Sequence, residues 1–516
     1  MTSTLDPRAD LQAPVVSAAP PAEGIETFES LNPATGDVVG VHPVAGPEEV
    51  AVAVERARQA ADWWGNLTFA ERAEHLLTWR SVITRRIAQL AELSRSETGK
   101  PIGDAQLEIA LAIDHIAWAA KNAKKVLGPR RMPAGLVMAN QAATVEYRPL
   151  GVVGVIGPWN YPVFTPMGSI AYALAAGNTV VFKPSEYTPG VGQWLADTFN
   201  EVVGGVPVLQ TVTGLGPTGA ALCRSGVDKL AFTGSTGTGK KVMASCAETL
   251  TPVIIEAGGK DSLIVDEDAD LAKAAEAALW GGMANAGQTC IGTERVYVHH
   301  AVFEPFVAEL TAQAQGLRAG GDAQAPIGPI TMPSQLDVIR SHVQDAVDRG
   351  ATAVVGGPEA VGERFVQPTI LTHVPEDSSA ITEETFGPTL AVNPVRDMDE
   401  AVRLTNATKY GLAGAVYSKR RGMEIARRIR SGMTSVNGII SFAGVPSLPF
   451  GGVGDSGFGR IHGADGLKEF TYAKAITRQR FAPPLNLTSF ARTAKDEKSL
   501  ATIVTLLHGG KKTLRG

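Results

Sequence analysis

Cysteine is scarce in this chain, with only Cys223, Cys246 and Cys290 among 516 residues. So few thiols over such a length exclude a disulfide framework and point to a reducing, cytoplasmic setting. An excess of one charge sign is missing too. Lys and Arg number 47 against 52 Asp and Glu, a net charge of −5, so there is no basic footprint for nucleic acid. No uncharged apolar run of ~18 residues occurs, and no transmembrane helix is expected. The opening "MTSTLDPRADLQAPVVSAAPPAEG" carries acids and prolines where a secretory signal has a basic start and an apolar stretch. It reads as a disordered arm over residues 1–25. Repeats are lacking, and no metal is expected.

What is present fits an enzyme. The chain is 44% hydrophobic with 56 Gly and 32 Pro, the balance of a loop-rich soluble α/β protein. It also exceeds the ~250–300 residues at which one core stops growing, so two large domains are expected. Between 46 and 128, "AVAVERARQAADWW" and "QLEIALAIDHIAWAAKNAKKVL" space apolar residues helically. From 143 onward "ATVEYRPLGVVGVIGPW", "TVVFKP" and "KLAFTG" are short apolar strands separated by helix-length segments, the pattern of a doubly wound parallel sheet. A second alternation begins at "TPVIIEAGGKDSLIVDE" and runs to "TSVNG", which places the junction of two α/β domains near 255–260. The tail from 478 to 516 holds eight Lys or Arg against two acids, and Leu500, Ile503, Val504 and Leu507 share one helical face.

"AFTGSTGTGKKV", residues 231–242, admits two phosphate-binding readings. Gly234, Gly239 and Lys240 match P-loop spacing, but Lys241 stands where a magnesium-binding Ser or Thr is needed. Gly237 and Gly239 give part of a Rossmann fingerprint, with Val242 where its third small residue belongs. The loop alone leaves both open.

Cys290 ends "NAGQTC", whose small and polar neighbours leave a nucleophile accessible; the alternative is an inert buried thiol. Cys223 and Cys246 sit in helix-like settings, where structural roles are expected. Asn160 in "GPWNYP" offers an amide to a developing oxyanion, or simply forms a turn beside Pro. Glu256 in "VIIEAGGK" ends an apolar strand ahead of glycines, which suits a general base with room to move. Lys183 and Glu186 in "FKPSE" follow another strand, where an open sheet binds its nucleotide; a surface ion pair is the plain alternative. Glu384 and Phe386 in "EETFGP" precede a Gly-Pro turn.

Taken in order, "PWN", "KPSE", "FTGST", "EAGGK", "GQTC", "EETFGP" and "PFGG" resemble the aldehyde dehydrogenase superfamily over roughly residues 26–485. The resemblance implies two doubly wound α/β domains, a Rossmann-like cofactor domain and a catalytic domain, with a small β oligomerisation arm. It places the NAD-binding domain at 26–135 and 151–256, the catalytic domain at 257–470, oligomerisation strands at 136–150 and 471–487, and a basic tail at 488–516. It implies Cys290 as nucleophile, Glu256 as the base that activates hydrolytic water, and Asn160 with the Cys290 N–H as the oxyanion hole. The cofactor is NAD, with NADP as the alternative. Lys183 and Glu186 would meet the adenosine ribose, Ser235 the pyrophosphate, and Glu384 with Phe386 the nicotinamide riboside. Trp159, Ser185, Gly234 and Gly239 complete that set. The partner is a small-molecule aldehyde, in a homodimer or homotetramer, with weak membrane-surface contact through the tail as a further expectation. Ala257 stands where the family usually has Leu, and the segment between Asn437 and Gly452 looks longer than in many relatives.

The segment Tyr161–Leu174 holds no Lys or Arg. Succinate-semialdehyde dehydrogenases of the family commonly carry an arginine at about the position of Gly168, so the resemblance implies a neutral apolar aldehyde. Gly168 would leave space, and Phe164, Met167, Ile291, Phe442 and Phe450 would supply walls. Succinate semialdehyde is the alternative substrate, and a P-loop nucleotidase the remote alternative function.

Overall fold

A computed structural model describes residue 24, residues 26–483, residue 485 and residues 487–510. The arm expected over 1–25 therefore lies, apart from residue 24, outside the described residues. Contacts divide the described residues into a large unit, up to residue 127 and over 149–472, and a small one, over 128–148 and from 473 onward.

In the large unit, four helices come first: Pro47–Asn66, Phe69–Arg85, Ile87–Thr98 and Ile102–Leu127. Local chemistry sets their ends. Thr68 accepts from the Glu71 N–H while the Glu71 carboxylate accepts from the Thr68 N–H, a reciprocal cap on the second helix. Gly99, at φ 74°, closes the third in the left-handed region.

The first sheet runs Gly457–Phe458, Val253–Ala257, Lys229–Gly234, Val152–Ile156, Thr179–Lys183, Leu209–Thr211. All neighbours are parallel except the edge pair made by Gly457–Phe458. The five parallel strands, numbered along the chain, lie in the order 5-4-1-2-3, a doubly wound arrangement whose switch point falls between Val152–Ile156 and Lys229–Gly234. The strand Thr179–Lys183 is buried throughout, as a parallel sheet covered on both faces requires.

The second sheet runs Thr352–Val355, Thr369–Thr372, Thr389–Val395, Thr293–His299, Asp261–Val265, Gly414–Tyr417, Ser435–Val436, antiparallel only at its first pair. Its core gathers Leu263, Val296, Phe306 and Leu390. The chain passes from one sheet to the other through Gly258–Lys260, between Ala257 and Asp261. One boundary differs from expectation: Gly457–Phe458, inside the span assigned to the catalytic domain, pairs with Glu256 and Ile255 of the first sheet.

The small unit carries a three-stranded sheet in the order Thr471–Gln479, Gln141–Pro149, Arg130–Met132. Its first strand thus starts before residue 136, the expected limit of the arm. The helix Ala494–His508 follows, with no buried residue, and it presents the apolar positions Leu500, Ile503, Val504 and Leu507. No helix among the described residues is long and apolar enough to cross a membrane.

Candidate active site

The carboxyl ends of four strands of the first sheet open onto one cavity of about 780 Å³. An open α/β sheet binds its ligand at such ends, beside the switch point. Trp159 and Asn160 follow the strand Val152–Ile156, and Lys183, Ser185 and Glu186 end or follow Thr179–Lys183. Gly234 and Ser235 lie at the end of Lys229–Gly234, while Glu256 and Gly258 lie at the end of Val253–Ala257. From the second sheet's side come Cys290, Glu384 and Phe386, each shortly before a strand begins.

At the far end of the cavity Ser235 caps the helix Thr236–Ala247, its hydroxyl accepting from the Thr238 N–H at 3.3 Å. The unpaired N–H groups and positive dipole end of such a helix favour a phosphate. Gly239 does not line the cavity: a methyl there would stand 3.0 Å from Ile255 Cγ2, so this glycine lets the helix pack on its strand. Lys240 is also outside the lining, exposed and paired with Asp455 at 3.4 Å. A P-loop lysine would reach the phosphates, so this placement removes the nucleotidase alternative. Lys183 is buried, donates to the Pro184 carbonyl at 2.9 Å, and lies 4.0 Å from the half-exposed Glu186. The Ser185 hydroxyl donates to Glu186 at 3.3 Å. The Trp159 ring meets Phe386 edge-on at 5.6 Å. Cys223 also borders the cavity, but it is a buried free thiol, and the neighbouring Cys246 thiol and then burial raise its pKa.

At the chemical end, the half-buried Cys290 thiol shares the cavity with Glu256 and Asn160. Glu256 is 2% exposed and neither carboxylate oxygen has a hydrogen-bond partner. Burial pushes its pKa up to about 7, with Thr233 and Cys290 opposing. Burial and then repulsion from Glu294 raise Glu384 to about 8, while the Gly259 N–H donates to its carboxylate at 3.2 Å. Burial, Glu256, Glu384 and Asp261 together push the Cys290 thiol well above its ordinary range. Burial is thus the first cause that favours the protonated form at Glu256, Glu384 and Cys290 alike.

Several supporting residues escaped sequence reasoning. Asn285, Ala286 and Gly287 form a left-handed run at φ 52°, 56° and 69° ahead of Cys290. A side chain at Gly287 would collide with the Gly387 carbonyl, so glycine is required there. Asn285 donates to the Asn160 carbonyl at 3.0 Å, and Asn160 donates its amide to the Gln288 carbonyl at 2.9 Å. The buried Lys260 ammonium pairs with Glu294, whose carboxylate also accepts from the N–H groups of Thr385 and Phe386. This pair fixes the loop that brings Glu384 and Phe386 forward. An "N-A-G" sequence is the one local signal for the turn, because Asn and Gly tolerate the left-handed region.

The residues expected as substrate walls lie in packed structure. Phe164, Met167, Ile291, Phe442 and Phe450 are all buried, and none lines the large cavity. Ile291 and Phe442 border a crevice of about 10 Å³. The space expected at Gly168 is filled: a methyl there would stand 2.5 Å from His462 Nε2 and 2.8 Å from Ile461 Cδ1. His462 lies among the rings of His115, Phe164 and Phe450, at 3.8, 5.4 and 5.2 Å. Burial lowers the pKa of both histidines, His115 to about 4, so both are neutral.

The model of the aldehyde dehydrogenase family matches residues 20–476, and the chain belongs to that family. It is 35% identical over 487 residues to the 4,4'-diapolycopene aldehyde oxidase of Methylomonas sp., covering 94% of this chain and 92% of that protein. It is 36% identical over 478 residues to the glutarate-semialdehyde dehydrogenase of Pseudomonas aeruginosa, covering 90% and 97%. The solved NAD⁺ complex of the Bacillus cereus aldehyde dehydrogenase superposes with a TM-score of 0.83 at 33% identity, covering 88% of this chain and 93% of that one. The chain is an NAD(P)-dependent aldehyde dehydrogenase. Its own geometry fits such a dinucleotide. The cavity has the size of a ligand site, runs from a capped helix N-terminus to the thiol, and also holds the buried Glu256 and Glu384.

Proposed function

We propose that the chain oxidises a neutral, apolar aldehyde to its carboxylic acid, with Cys290 as nucleophile, Glu256 as general base and Asn160 as an oxyanion donor. The observation that carries this is the meeting of Cys290, Asn160 and an unpartnered Glu256 on one cavity. The Cys290 sulfur adds to the aldehyde carbon, and the carbonyl pair moves to oxygen, where the Asn160 amide donates. The thiol proton passes to the Glu256 carboxylate as the S–C bond forms and goes on to solvent, which leaves Glu256 ionised for the later step. Collapse of that oxyanion re-forms the C=O as hydride leaves, giving a thioester on Cys290. When bound, the dinucleotide supplies the hydride acceptor, held by Lys183, Ser185, Glu186, Ser235, Glu384 and Phe386. Glu256 then takes a proton from water, whose oxygen attacks the thioester; the acid departs and the sulfur is regenerated. The unpaired carboxylate oxygens of Glu256 leave it free for that task.

The carboxylate of Glu186 on the cavity wall favours NAD over NADP, since it accepts from a free ribose 2′-hydroxyl and repels a 2′-phosphate. Substrate class rests on the far side of the site. The expected wall residues there are apolar, His115 and His462 are neutral, the crevice beside Ile291 adds the acid Asp261, and Arg460 spends its guanidinium on the carbonyls of Gly452 and Gly459. A second carboxylate on the substrate would meet no cation among these groups, at a cost that decides selectivity. The three-stranded sheet, whose outer strand Thr471–Gln479 is largely exposed, suits a homodimer or homotetramer. Comparing kcat/KM for decanal or benzaldehyde with that for succinate semialdehyde, using NAD and NADP in turn, tests the reading. At least tenfold preference for the neutral aldehyde and for NAD is expected; preference for the semialdehyde would refute the substrate class.

A further inference from the structure

Lys100 and Glu108 form an ion pair whose side chains are both 0% exposed. Lys100 follows the left-handed Gly99, and Glu108 lies in the long helix Ile102–Leu127. Neither residue touches the cavity. Removing both charges from water costs several kcal/mol, and apolar replacements of such pairs are often neutral or stabilising. Stability therefore gives little reason for the pair.

Its partners give a better one. The Lys100 ammonium donates to Glu108 at 2.6 Å and to the Asn160 carbonyl at 2.7 Å, and it lies 4.4 Å from the centroid of the Tyr161 ring. The other oxygen of Glu108 accepts from the N–H groups of Val163 and Phe164, at 2.7 and 3.0 Å. These groups open the helix Phe164–Ala176, where a carboxylate also meets the positive dipole end. The pair thus holds Asn160 to Phe164 from both ends: by a carbonyl at one and by two N–H groups at the other.

The same short segment is tied to the nucleophile loop. The Asn160 amide donates to the Gln288 carbonyl at 2.9 Å, and the Tyr161 hydroxyl is 2.9 Å from that of Thr289, the neighbour of Cys290. Asn285 shares the Asn160 carbonyl with Lys100. A shift of Asn160 would therefore change the distance between its amide and the oxygen of a substrate on Cys290.

We infer that Lys100 and Glu108 are positioning residues, which fix the Asn160 amide against the Cys290 loop through the backbone of residues 160–164. The inference rests on the reading of Asn160 as oxyanion donor. Displacement of an oxyanion donor by about 1 Å costs up to ~10²-fold in rate, so the effect belongs in kcat rather than in cofactor binding.

The test uses full-length Lys100→Met/Glu108→Gln, which removes both charges while the Gln oxygen can still accept from Val163 and Phe164. Its kcat is expected to fall at least tenfold, with cofactor Kd within twofold and Tm within a few degrees of wild type. The same change made in an Asn160→Ala background should cost less than threefold more, because the pair acts through a group already gone. A full tenfold loss in that background, or an unchanged kcat in the wild-type background, overturns the inference. Should the double variant fail to fold, Glu108→Gln alone is read the same way, with a severalfold loss expected only when Asn160 is present. Unchanged turnover in Asn160→Ala itself would overturn the underlying reading of the site instead.

Discussion

Cys290 lines an open cavity of about 780 Å³ walled by strand ends and polar groups; its neighbour Ile291 instead borders a crevice of about 10 Å³, and Phe164, Met167 and Phe450 are buried away from the large cavity. The first side is made by short consecutive stretches, each delivered by one strand of the first sheet or one loop of the second. The second is made by residues far apart in the chain, such as His115, Gly168, Phe450 and His462, brought together by packing. A dinucleotide shared across a family can be met by the first kind of construction. In the proposed reading, selection among aldehydes falls to the second.

The largest expected effect comes from breaking the proposed nucleophile. Cys290→Ala should lower aldehyde oxidation by at least ~10³-fold with cofactor binding retained by titration. Cys223→Ala should leave turnover within about threefold, because that thiol is free and packed with Cys246 in a buried apolar cluster. Inactivity of Cys223→Ala with activity in Cys290→Ala would reverse the assignment.

Next comes the base. Glu256→Gln should give a burst of reduced cofactor equal to the enzyme concentration, then steady turnover ~10²-fold or more below wild type. In the wild type, deacylation should rise with pH through about 7 as Glu256 loses its proton. The fold carries the opposite dependence. Glu256 and Glu384 keep protons up to about 7 and about 8 that the unfolded chain releases near 4.5. Between 4.5 and those values the folded state binds more protons, so stability falls as pH rises and levels off above about 8. At pH 8, Glu256→Gln should be more stable than wild type by ~2–3 kcal/mol. A thermal or denaturant series from pH 5 to 9 on both proteins checks this, and parallel curves would show that Glu256 is not the titrating group.

What the sequence made legible follows the same divide. Asn160, Glu256, Cys290 and Glu384 each sit in a stretch of a few residues with its own turn glycine or proline, and the structure brings all four to one cavity. The strand alternation that announces a doubly wound sheet is equally local. Gly239 and Lys240 show the limit, since spacing alone did not say which side of the helix Thr236–Ala247 faces the ligand. Lys100, Glu108, Lys260 and Glu294 were invisible because nothing in a charged residue's neighbours says that it will be buried with a partner. Gly168 was misread for a related reason. A missing side chain leaves space only if no distant residue fills it, and His462 lies 294 positions further on.

The smallest effect sharpens the packed side through that pair. His462 occupies the volume a side chain at 168 would take, and it does so with a positive φ of 63° that few non-glycine residues adopt. Gly168→Ala forces a methyl to 2.5 Å from His462 Nε2, in a core where Met167 and Ile170 allow no retreat. Overpacking of this kind costs ~1–3 kcal/mol. His462→Ala alone should also destabilise, by opening a cavity among Phe164, His115 and Phe450. If the two positions share one volume, the double variant Gly168→Ala/His462→Ala will be more stable than the sum of the single losses implies, by ~1 kcal/mol or more. Denaturant midpoints of the four proteins supply the cycle. Strict additivity would mean that the methyl is accommodated elsewhere, and that the substrate side is looser than the packing of His462 indicates.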